Sequence, residues 1–458
     1  MRYADTITAI ATARGRSALA IVRLSGPQAM QFAAMCFIGE DLRTAASHTA
    51  HVGLWRGADG AEIDHVVTTV FRAPRSATGE DVVEVSCHGG DYVAARIIES
   101  VIATGARLAE PGEFTQRAFL NGKMDLAQAE AVADLIHASS ALAHRVSVAH
   151  LRGHYSESLS ELRATMLEIC ALAELELDFP DEDVKFADRT VVRQLLDQAE
   201  EHLTTSLGSH KLGVLIREGV RVVIAGRPNA GKSTLLNAVL GQDRAIVSSV
   251  PGTTRDTIEA DTEVEGILFR FVDTAGMRES ADRIEAEGID RAVREAIESD
   301  VLIYVYDVTI GLNEQETAWL RDRARQSLLV VVANKSDLCE TLPDLLPIGI
   351  PVVILSAKQA MRDPGLLAEL WHLIVSLTAA ELSEANTSRI VTNQRHQHHM
   401  KKALRALHAA RESLDAGRSG DLFTLDIRAA LHEIGAITGE VTNDDVLGEI
   451  FARFCIGK

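Results

Sequence analysis

Residues 221–234 read RVVIAGRPNAGKST, and this stretch determines how the middle of the chain folds. The β-branched run at 222–224 predicts a strand, and apolar residues at helical spacing after Thr234 predict a helix. Between them, the spacing GxxxxGK[ST] predicts a glycine-rich loop whose backbone N–H groups surround phosphate oxygens at a helix N-terminus. In such a loop Lys232 would contact the β- and γ-phosphates, and Ser233 would bind Mg²⁺. The stretch therefore predicts a nucleoside triphosphate site.

The composition is typical of a globular protein. The 458 residues are 47% hydrophobic and 24% charged, which suits about two to four domains. No apolar run approaches the ~20 residues that span a bilayer, and the N-terminus lacks a secretory signal pattern. Five scattered cysteines form no pair at disulfide or metal spacing, so we expect a reducing cytoplasm and no membrane attachment. The net charge of −19 disfavours nucleic-acid binding, so any RNA contact would need a local basic patch or a partner's surface.

The first 120 or so residues alternate β-rich runs with turn signals, a pattern typical of an α/β domain. Strands are predicted at 20–24, 65–71 and 81–86, and a helix at 92–103. From about residue 125 to 180 the sequence is almost wholly helix-forming, with one apolar face at the 3.6-residue period. That face consists of Leu151, Tyr155, Leu159, Leu162, Met166, Ile169, Ala173 and Leu177.

Beyond about residue 380 the chain is predicted to be helical again. Helices are predicted there at 394–414, 422–437 and 445–454, and one further helix, at 191–217, is predicted earlier in the chain. Between the helical regions, near-continuous apolar runs end at Asp273 and recur at 301–306, 328–333 and 352–355. Such runs predict a mostly parallel sheet that is covered on both faces. Two helical regions that flank a self-contained α/β domain predict that this domain is inserted into one helical domain.

Further motifs follow the predicted strands of the central domain. DTAG at 273–276 would hold Mg²⁺ through its water shell and sense the γ-phosphate. NKSD at 334–337 would recognise guanine, because the Asp337 carboxylate can accept hydrogen bonds from N1–H and N2–H₂. We expect this carboxylate to be buried, and adenine would leave it unpaired. ATP should therefore be disfavoured about 10⁴-fold relative to GTP. SAK at 356–358 would complete the guanine pocket, so that the motifs together predict a GTPase.

The segment SSVPGTTRD at 248–256 is typical of a first switch, in which a threonine completes the Mg²⁺ shell. Met277 stands where Ras-like enzymes carry the glutamine that orients the attacking water, so another group must take over this function. The predicted GTP site comprises Asn229, Ala230, Gly231, Lys232, Ser233, Thr234, Ser248, Ser249, Val250, Pro251, Gly252, Thr253, Thr254, Asp273, Thr274, Ala275, Gly276, Asn334, Lys335, Asp337, Ser356, Ala357 and Lys358.

The stretches GRPNAGKS, PGTTRD, DTAGMRES and the C-terminal FCIGK together resemble the MnmE (TrmE) family of tRNA-modification GTPases. Further matches are IVRLSGP, TGEDVVEVSCHGG and PGEFTQRAFLNGKMDLAQAEAVADLIHASS, so the resemblance runs from end to end. It implies an N-terminal dimerising, folate-binding α/β domain over 1–121. It also implies a discontinuous helical domain over 122–217 and 382–458, and an inserted Ras-like P-loop G domain over 218–381.

The resemblance implies metal and catalytic roles that the residues alone do not. K⁺ would take the place of an arginine finger. The implied K⁺ ligands are Asn229, Ser248, Val250 and Thr253, and the implied Mg²⁺ ligands are Ser233 and Thr254. Glu285 would be the water-orienting group and would act with Lys232 in catalysis. Without the resemblance, Glu285 would be interpreted as an exposed helix carboxylate.

The resemblance also implies a site for a tetrahydrofolate derivative, 5-formyl- or methylene-tetrahydrofolate. Its residues would be Arg23, Glu84, Lys123 and Lys458. A glutamate can accept hydrogen bonds from pterin N–H groups, and basic side chains can pair with the folate carboxylates. From the sequence alone, each of the four would be predicted to be a surface residue.

The implied function is a homodimeric, K⁺-stimulated GTPase that joins the FAD-dependent MnmG in a heterotetramer. The complex would add an aminomethyl-type or carboxymethylaminomethyl group to C5 of the wobble uridine in certain tRNAs, using a one-carbon unit from tetrahydrofolate. Two alternatives stay open: a GTP-dependent switch in ribosome or RNA assembly, and a self-assembling mechanical GTPase. His396, His398 and His399 are predicted to be surface residues rather than a metal site, and Cys455 lacks a lipidation context.

Overall fold

A computed structural model gives the fold for residues 5–178, 189–241, 260–271, 299–325, 328–339, 349–382, 389–416, 418, 420–442, 444–452, 454 and 457. The chain divides into two units. The first comprises Met1–Ile136, His150–Glu200 and His399–Lys458, and the second comprises His137–Ala149 and Glu201–His398.

The described part of the chain contains the following strands and helices. The strands are β1 (Ile7–Ile10), β2 (Leu19–Ser25), β3 (Phe37–Ile38), β4 (Thr49–Arg56), β5 (Glu62–Phe71), β6 (Val82–His88), β7 (Arg107–Leu108), β8 (Val220–Ala225), β9 (Ala260–Val264), β10 (Ile267–Phe271), β11 (Val301–Asp307), β12 (Leu328–Asn334) and β13 (Val352–Ile354). The helices are α1 (Ala29–Cys36), α2 (Asp91–Ala103), α3 (Glu113–Leu120), α4 (Leu126–His137), α5 (Ala141–Leu151), α6 (His154–Asp178), α7 (Arg189–Gly208), α8 (His210–Glu218), α9 (Lys232–Leu240), α10 (Glu314–Arg323), α11 (Ala357–Ala360), α12 (Ala368–Leu382), α13 (Gln394–Asp415), α14 (Gly420–Thr438) and α15 (Asp444–Phe451).

The first unit begins with a seven-stranded sheet in the order β3-β4-β5-β6-β2-β1-β7. Its neighbouring strands are antiparallel, except that β1 and β7 are parallel. Because strand residues alternate between faces, Val22, Val83 and Val85 point into one core with α1 and α2. The strands predicted at 20–24, 65–71 and 81–86 and the helix predicted at 92–103 are confirmed.

The opposite face of this sheet carries exposed apolar side chains. Leu19 is 61% exposed, Val52 is 76% exposed and Val67 is 40% exposed. Val52 and Val67 are direct cross-strand partners on β4 and β5. This open sheet face therefore leaves hydrophobic surface in contact with solvent.

A network of ion pairs anchors α3 to the sheet. Arg117 is fully buried and donates to Asp5 Oδ1 at 2.9 Å and to Glu113 Oε1 at 2.8 Å. Arg107 donates to the same Glu113 carboxylate at 2.5 Å and 2.8 Å. Burial raises the pKa of Glu113, but hydrogen bonds from Arg107, the Glu110 N–H and Arg117 outweigh burial and hold this pKa below its usual 4.5.

In the helical part of the first unit, α6 packs against α14. Phe423, Ile427, Ala430 and Ile434 of α14 are buried, as are the predicted face residues from Tyr155 to Ala173. The apolar face does not run through one helix, however. Leu151 ends α5, and the chain turns at Gly153, whose φ is +92°. The side chain of Leu177 lies outside the described residues.

The residues predicted as helical over 191–217 are helical except at Ser209, and they form two helices, α7 and α8. They meet at Ser209, whose hydroxyl donates to Arg389 O at 3.2 Å and accepts from Val391 N at 3.0 Å. In α8, a Cβ on Gly213 would lie 2.1 Å from Val391 O. The segment at 389–391 thus packs against the helix junction, where Ser209 N still donates to Thr205 O and Gly213 N donates to Ser209 O.

The second unit contains a six-stranded sheet in the order β13-β12-β11-β8-β10-β9. Only the β9–β10 pair is antiparallel. One face packs against α9 and α12, and the other packs against residues that include Leu320 of α10. The predicted mostly parallel sheet with two covered faces is confirmed. Among the described helices of the chain, none has the length and apolarity that crossing a bilayer requires.

The buried ion network makes a pH-dependent prediction for Glu113→Gln. A carboxylate whose folded-state pKa is depressed contributes stability above its unfolded value, and this stability is lost as pH falls through the folded value. We therefore expect the variant to lose about 3 kcal/mol of stability at pH 7, and progressively less below pH 4.5. Urea unfolding followed by Trp55 fluorescence, with Trp319 and Trp371 replaced by phenylalanine, measures the difference.

The matched control is Asp41→Asn, which breaks the exposed Asp41–Arg43 pair. It should shift the unfolding curve very little at either pH, because exposed ion pairs are screened by solvent. A Glu113→Gln deficit that stayed constant down to pH 3 would contradict the assignment of a charged, paired Glu113.

Candidate nucleotide site

The phosphate loop lies between β8 and α9, at the edge where the parallel strands end. Gly226 has a φ of +144°, and a Cβ at this position would lie 2.0 Å from Val305 O on β11. Gly231 has a φ of +98°, and its Cβ would lie 2.1 Å from Asn334 Nδ2. Both positions therefore require glycine, for backbone conformation and for close packing. The loop is held against the ends of β11 and β12, where ligands of open α/β sheets bind.

Asn334 connects the phosphate loop to the loop after β13. Its side chain is 2% exposed. Nδ2 donates to Ala230 O at 2.8 Å, and Oδ1 accepts from Ala357 N at 2.9 Å. In the structure both ends of its amide bond the protein, and its role as a nucleotide ligand stays a prediction, because the second Nδ2 hydrogen can still donate. Asn334 is therefore a cross-link between two binding loops.

Lys232 lies across the phosphate loop. Its Nζ donates to Gly226 O and to Arg227 O, both at 2.9 Å. Burial lowers the pKa of Lys232, because a partly desolvated ammonium is harder to keep charged. Ser233 and Thr234 follow in the first turn of α9, and the side chain of Ser233 is exposed. The predicted β8–loop–α9 arrangement is thus confirmed.

Asp307, at the end of β11, is a site residue that the sequence reasoning missed. Its Oδ2 lies 2.7 Å from Lys335 Nζ, and its Oδ1 accepts from Thr309 N and Thr309 Oγ1. Burial raises the pKa of Asp307, but these hydrogen bonds outweigh burial and bring it below its ordinary value. Lys335 has a φ of +65°, so the loop after β12 is held in a left-handed turn. The available signal was an aspartate at the end of a predicted buried strand, the same signal that was used for Asp273.

Asp337 lies in a short 3₁₀ turn, Ser336–Leu338, and is exposed. The expectation that this carboxylate is buried against guanine stays a prediction, because the exposure is that of the chain by itself. Ser356 is buried and caps α11 by accepting from Gln359 N at 3.3 Å, Ala357 is buried, and Lys358 is exposed.

Several predicted site residues lie outside the described part of the chain. They are Ser248, Ser249, Val250, Pro251, Gly252, Thr253, Thr254, Asp273, Thr274, Ala275, Gly276, Glu285 and Lys458. Met277 and Cys455 lie outside it as well. Their assigned roles stay predictions.

Arg23 and Glu84 of the predicted folate site face each other on β2 and β6. Arg23 Nη2 lies 2.7 Å from Glu84 Oε1, and the guanidinium lies 5.7 Å from the centroid of the Phe114 ring. Both side chains are partly buried, so the expectation of free surface residues is wrong for this pair. Lys123 is exposed and donates to Pro74 O at 3.2 Å.

The C-terminal end of the chain lies beside the same strands. A Cβ on Gly457 would lie 2.0 Å from Ile10 O. Ile10 neighbours Ala9, which is the cross-strand partner of Arg23. Residues near both chain ends are thus brought close to Arg23.

The three clustered histidines do not form a metal site. Among the described residues, no group of histidine, cysteine, aspartate and glutamate side chains is arranged to hold a metal ion. His396 is buried, which contradicts its predicted surface position, and His399 Nδ1 lies 2.7 Å from Glu433 Oε2.

The phosphate loop lies between a strand and a helix at the carboxyl edge of a parallel sheet. It is cross-linked to the loops after β12 and β13, which carry the predicted guanine contacts. This arrangement defines a P-loop GTPase. Residues 6–123 match the family model described as GTP-binding protein TrmE N-terminus, and residues 126–455 match the model described as MnmE helical domain. The chain therefore belongs to the MnmE (TrmE) family. Its N-terminal domain, its helical domain and the G domain inserted into the helical domain are those of the family.

Curated relatives are similar over the whole chain. A protein of Salinibacter ruber named tRNA modification GTPase MnmE is 57% identical over 461 residues, with 100% of both chains covered. The protein of the same name from Porphyromonas gingivalis is 44% identical, with 99% of this chain and 98% of the relative covered. That of Cytophaga hutchinsonii is 42% identical, with 100% and 98% covered.

The Asn334 cross-link makes a testable prediction. Asn334→Ala would leave Ala230 O and Ala357 N buried without their partners, at about 1–3 kcal/mol for each group. We expect at least a tenfold loss of GDP affinity, measured by titration with a fluorescent GDP analogue. Asn334→Asp should also lose affinity, because a carboxylate can accept from Ala357 N but cannot donate to Ala230 O. Asn393→Ala, which removes a hydrogen bond to Arg395 N, should bind GDP as the unaltered chain does.

Proposed function

We propose that this chain is a K⁺-stimulated GTPase that modifies C5 of the wobble uridine in certain tRNAs. It would act in the cytoplasm with the FAD-dependent MnmG and use a one-carbon unit from a tetrahydrofolate derivative to add an aminomethyl or carboxymethylaminomethyl group. The single observation that carries this proposal is the full-length similarity to proteins named tRNA modification GTPase MnmE. The cross-linked nucleotide site supports its GTPase half.

The described residues fit GTP with Mg²⁺. Ser233 presents an exposed hydroxyl in the first turn of α9, a hard oxygen ligand of the kind that Mg²⁺ prefers. Lys232 lies within the phosphate loop, where a cation can stabilise the charge that develops during phosphoryl transfer. Thr254 and Glu285 would complete Mg²⁺ binding and water orientation, as the family resemblance implies.

A monovalent cation also fits the loop. Asn229 is exposed and has a φ of +62°, so its side-chain oxygen is available at the rim of the loop. Oxygen ligands suit a weakly hydrated cation such as K⁺, and Ser248, Val250 and Thr253 would supply the others. Potassium next to the phosphates would neutralise charge in place of an arginine.

The Arg23–Glu84 pair supports a folate site in the N-terminal domain. Glu84 is partly buried and keeps acceptor capacity beyond its bond to Arg23, which suits pterin N–H donors. Arg23 and the exposed Lys123 can pair with the carboxylates of folate. The approach of Gly457 to Ile10 supports a contribution from the adjacent Lys458.

The open sheet face of the N-terminal domain supports a homodimer. Exposed apolar side chains on neighbouring strands, such as Leu19, Val52 and Val67, favour association that removes them from water. A second copy of this chain would bury the open sheet face in the implied homodimer. MnmG would bind this homodimer to form the heterotetramer.

The cation assignment predicts that GTP turnover is at least tenfold faster in KCl than in NaCl at equal ionic strength. K⁺ and Na⁺ have the same charge, so general screening cannot produce this difference. The measurement is phosphate release at saturating GTP and Mg²⁺. Asn229→Ala should lower the rate in KCl towards the rate in NaCl, whereas equal rates in the two salts would contradict the K⁺ site.

The tRNA assignment predicts that cells lacking this gene lose modification at C5 of the wobble uridine. Nucleoside mass spectrometry of total tRNA measures this directly. Re-expression of the full chain should restore the modified nucleosides, and re-expression of Lys232→Ala should not, because its phosphate loop lacks the ammonium. Unchanged wobble uridines, together with defective ribosome assembly, would favour the RNA-assembly switch instead.

A further inference from the structure

The phosphate loop is tied to α10 by an ion pair that no part of the GTPase motif requires. Arg227, the second residue of the loop, donates through Nε to Glu316 Oε1 at 2.6 Å and through a terminal nitrogen to Glu316 Oε2. Such two-point pairing of guanidinium and carboxylate fixes direction as well as distance. The Glu316 side chain is largely buried, and that of Arg227 is partly exposed.

Glu316 is itself held from two other sides. Tyr304 on β11 donates its hydroxyl to Glu316 Oε1 at 2.7 Å. The Asn313 N–H donates to Glu316 Oε2 at 2.9 Å, and Glu316 N donates to Asn313 Oδ1 at 2.8 Å, which forms a capping box at the start of α10. Burial raises the pKa of Glu316, but the hydrogen bonds it accepts outweigh burial and keep it charged.

The position of this contact matters for the loop. Gly226 is packed against Val305, and Ala230 is bonded by Asn334. Between these fixed points lie Arg227, Pro228 and Asn229. Two described side-chain contacts restrain this middle section: the bond from Lys232 Nζ to the backbone Arg227 O, and the Arg227–Glu316 pair, which holds the Arg227 side chain.

We propose that Glu316 is a positioning residue of the nucleotide site, which through Arg227 holds the phosphate loop in its binding conformation before GTP arrives. The proposal rests on the proposed GTPase function and deepens it. A loop that is ordered in advance loses less conformational entropy on binding, so the clamp raises affinity for GDP and GTP alike. Because this gain is common to ground and transition states, it should appear in KM and not in kcat.

Glu316→Gln is the informative substitution. Glutamine has one acceptor oxygen where glutamate has two, so it can keep either the bond from Asn313 N–H or the bond from Tyr304, and it removes the charge that holds Arg227. We expect about tenfold weaker GDP binding, equivalent to about 1.4 kcal/mol, with most of the change in the dissociation rate of a fluorescent GDP analogue. The KM for GTP should rise by a similar factor, while kcat changes by less than threefold.

Arg227→Gln should behave like Glu316→Gln, and the double variant should be no more than about twofold weaker than either single variant, because both remove one interaction. Asp261→Asn is the matched control. It breaks the partly buried Asp261–Arg270 pair of the β9–β10 hairpin in the same unit and should leave GDP binding unchanged. Tyr304→Phe, which removes one donor to Glu316, should weaken binding by about two- to threefold.

Three results would overturn the proposal. The first is Glu316→Gln that binds GDP as tightly as the unaltered chain. The second is that Glu316→Gln binds GDP more tightly while Arg227→Gln binds it more weakly. Arg227 would then be a phosphate ligand that Glu316 holds away from the nucleotide. The third is independent losses that multiply in the double variant. If Glu316→Gln fails to fold, as thermal melting without nucleotide would reveal, unchanged binding by Tyr304→Phe overturns it. An unaltered chain that binds no guanine nucleotide would instead refute the proposed function.

Discussion

The nucleotide site depends on one buried amide. Asn334 joins the carbonyl of Ala230 in the phosphate loop to the N–H of Ala357 in the loop after β13. Backbone groups in such loops have no neighbouring strand to bond with, and burial without a partner is unfavourable. Asparagine is suited to this position because it offers a donor and an acceptor on one short side chain. The phosphate and guanine sides of the site are thereby fixed relative to each other within the second unit.

Most of the G domain's architecture could be predicted, because its signals are local. A buried parallel strand is a continuous apolar run, and GxxxxGKS specifies the turn and the helix start. The sequence could not predict contacts between residues that are distant along the chain. Asp307 was missed because its role depends on Lys335, which follows a different strand. The motif predicts a guanine contact for Asp337, but it does not specify how exposed the side chain is in the chain by itself, because the surrounding fold sets this.

Helix interruptions were difficult to predict for the same physical reason. The residues at 191–217 have helical periodicity throughout, and the one local signal beside Ser209 is Gly208, the last residue of α7. At the same place a segment 180 residues further along the chain bonds the Ser209 hydroxyl, a contact that local pattern cannot reveal. At Gly153 a breaker is present, but a glycine in a helical pattern does not by itself show that the helix ends. Arg23 and Glu84 were grouped in the predicted folate site by family resemblance, since the pairing of their strands cannot be read from either strand alone.

The insertion of the G domain raises the question of how the two halves of the helical domain find each other. Helices α6 and α14 pack together although the whole inserted domain separates them in sequence. The entropic cost of closing a loop grows only logarithmically, by about 0.6 kcal/mol for each doubling of its length. Burying one large aliphatic or aromatic side chain contributes about 1.5–3 kcal/mol. Leu159, Met166 and Ile169 on α6 and Ile427 and Ile434 on α14 are buried, so a few such contacts outweigh the added closure cost. The length of an insertion therefore matters less to the helical domain than the apolar faces at its two ends, which is why a complete GTPase can be accommodated within it.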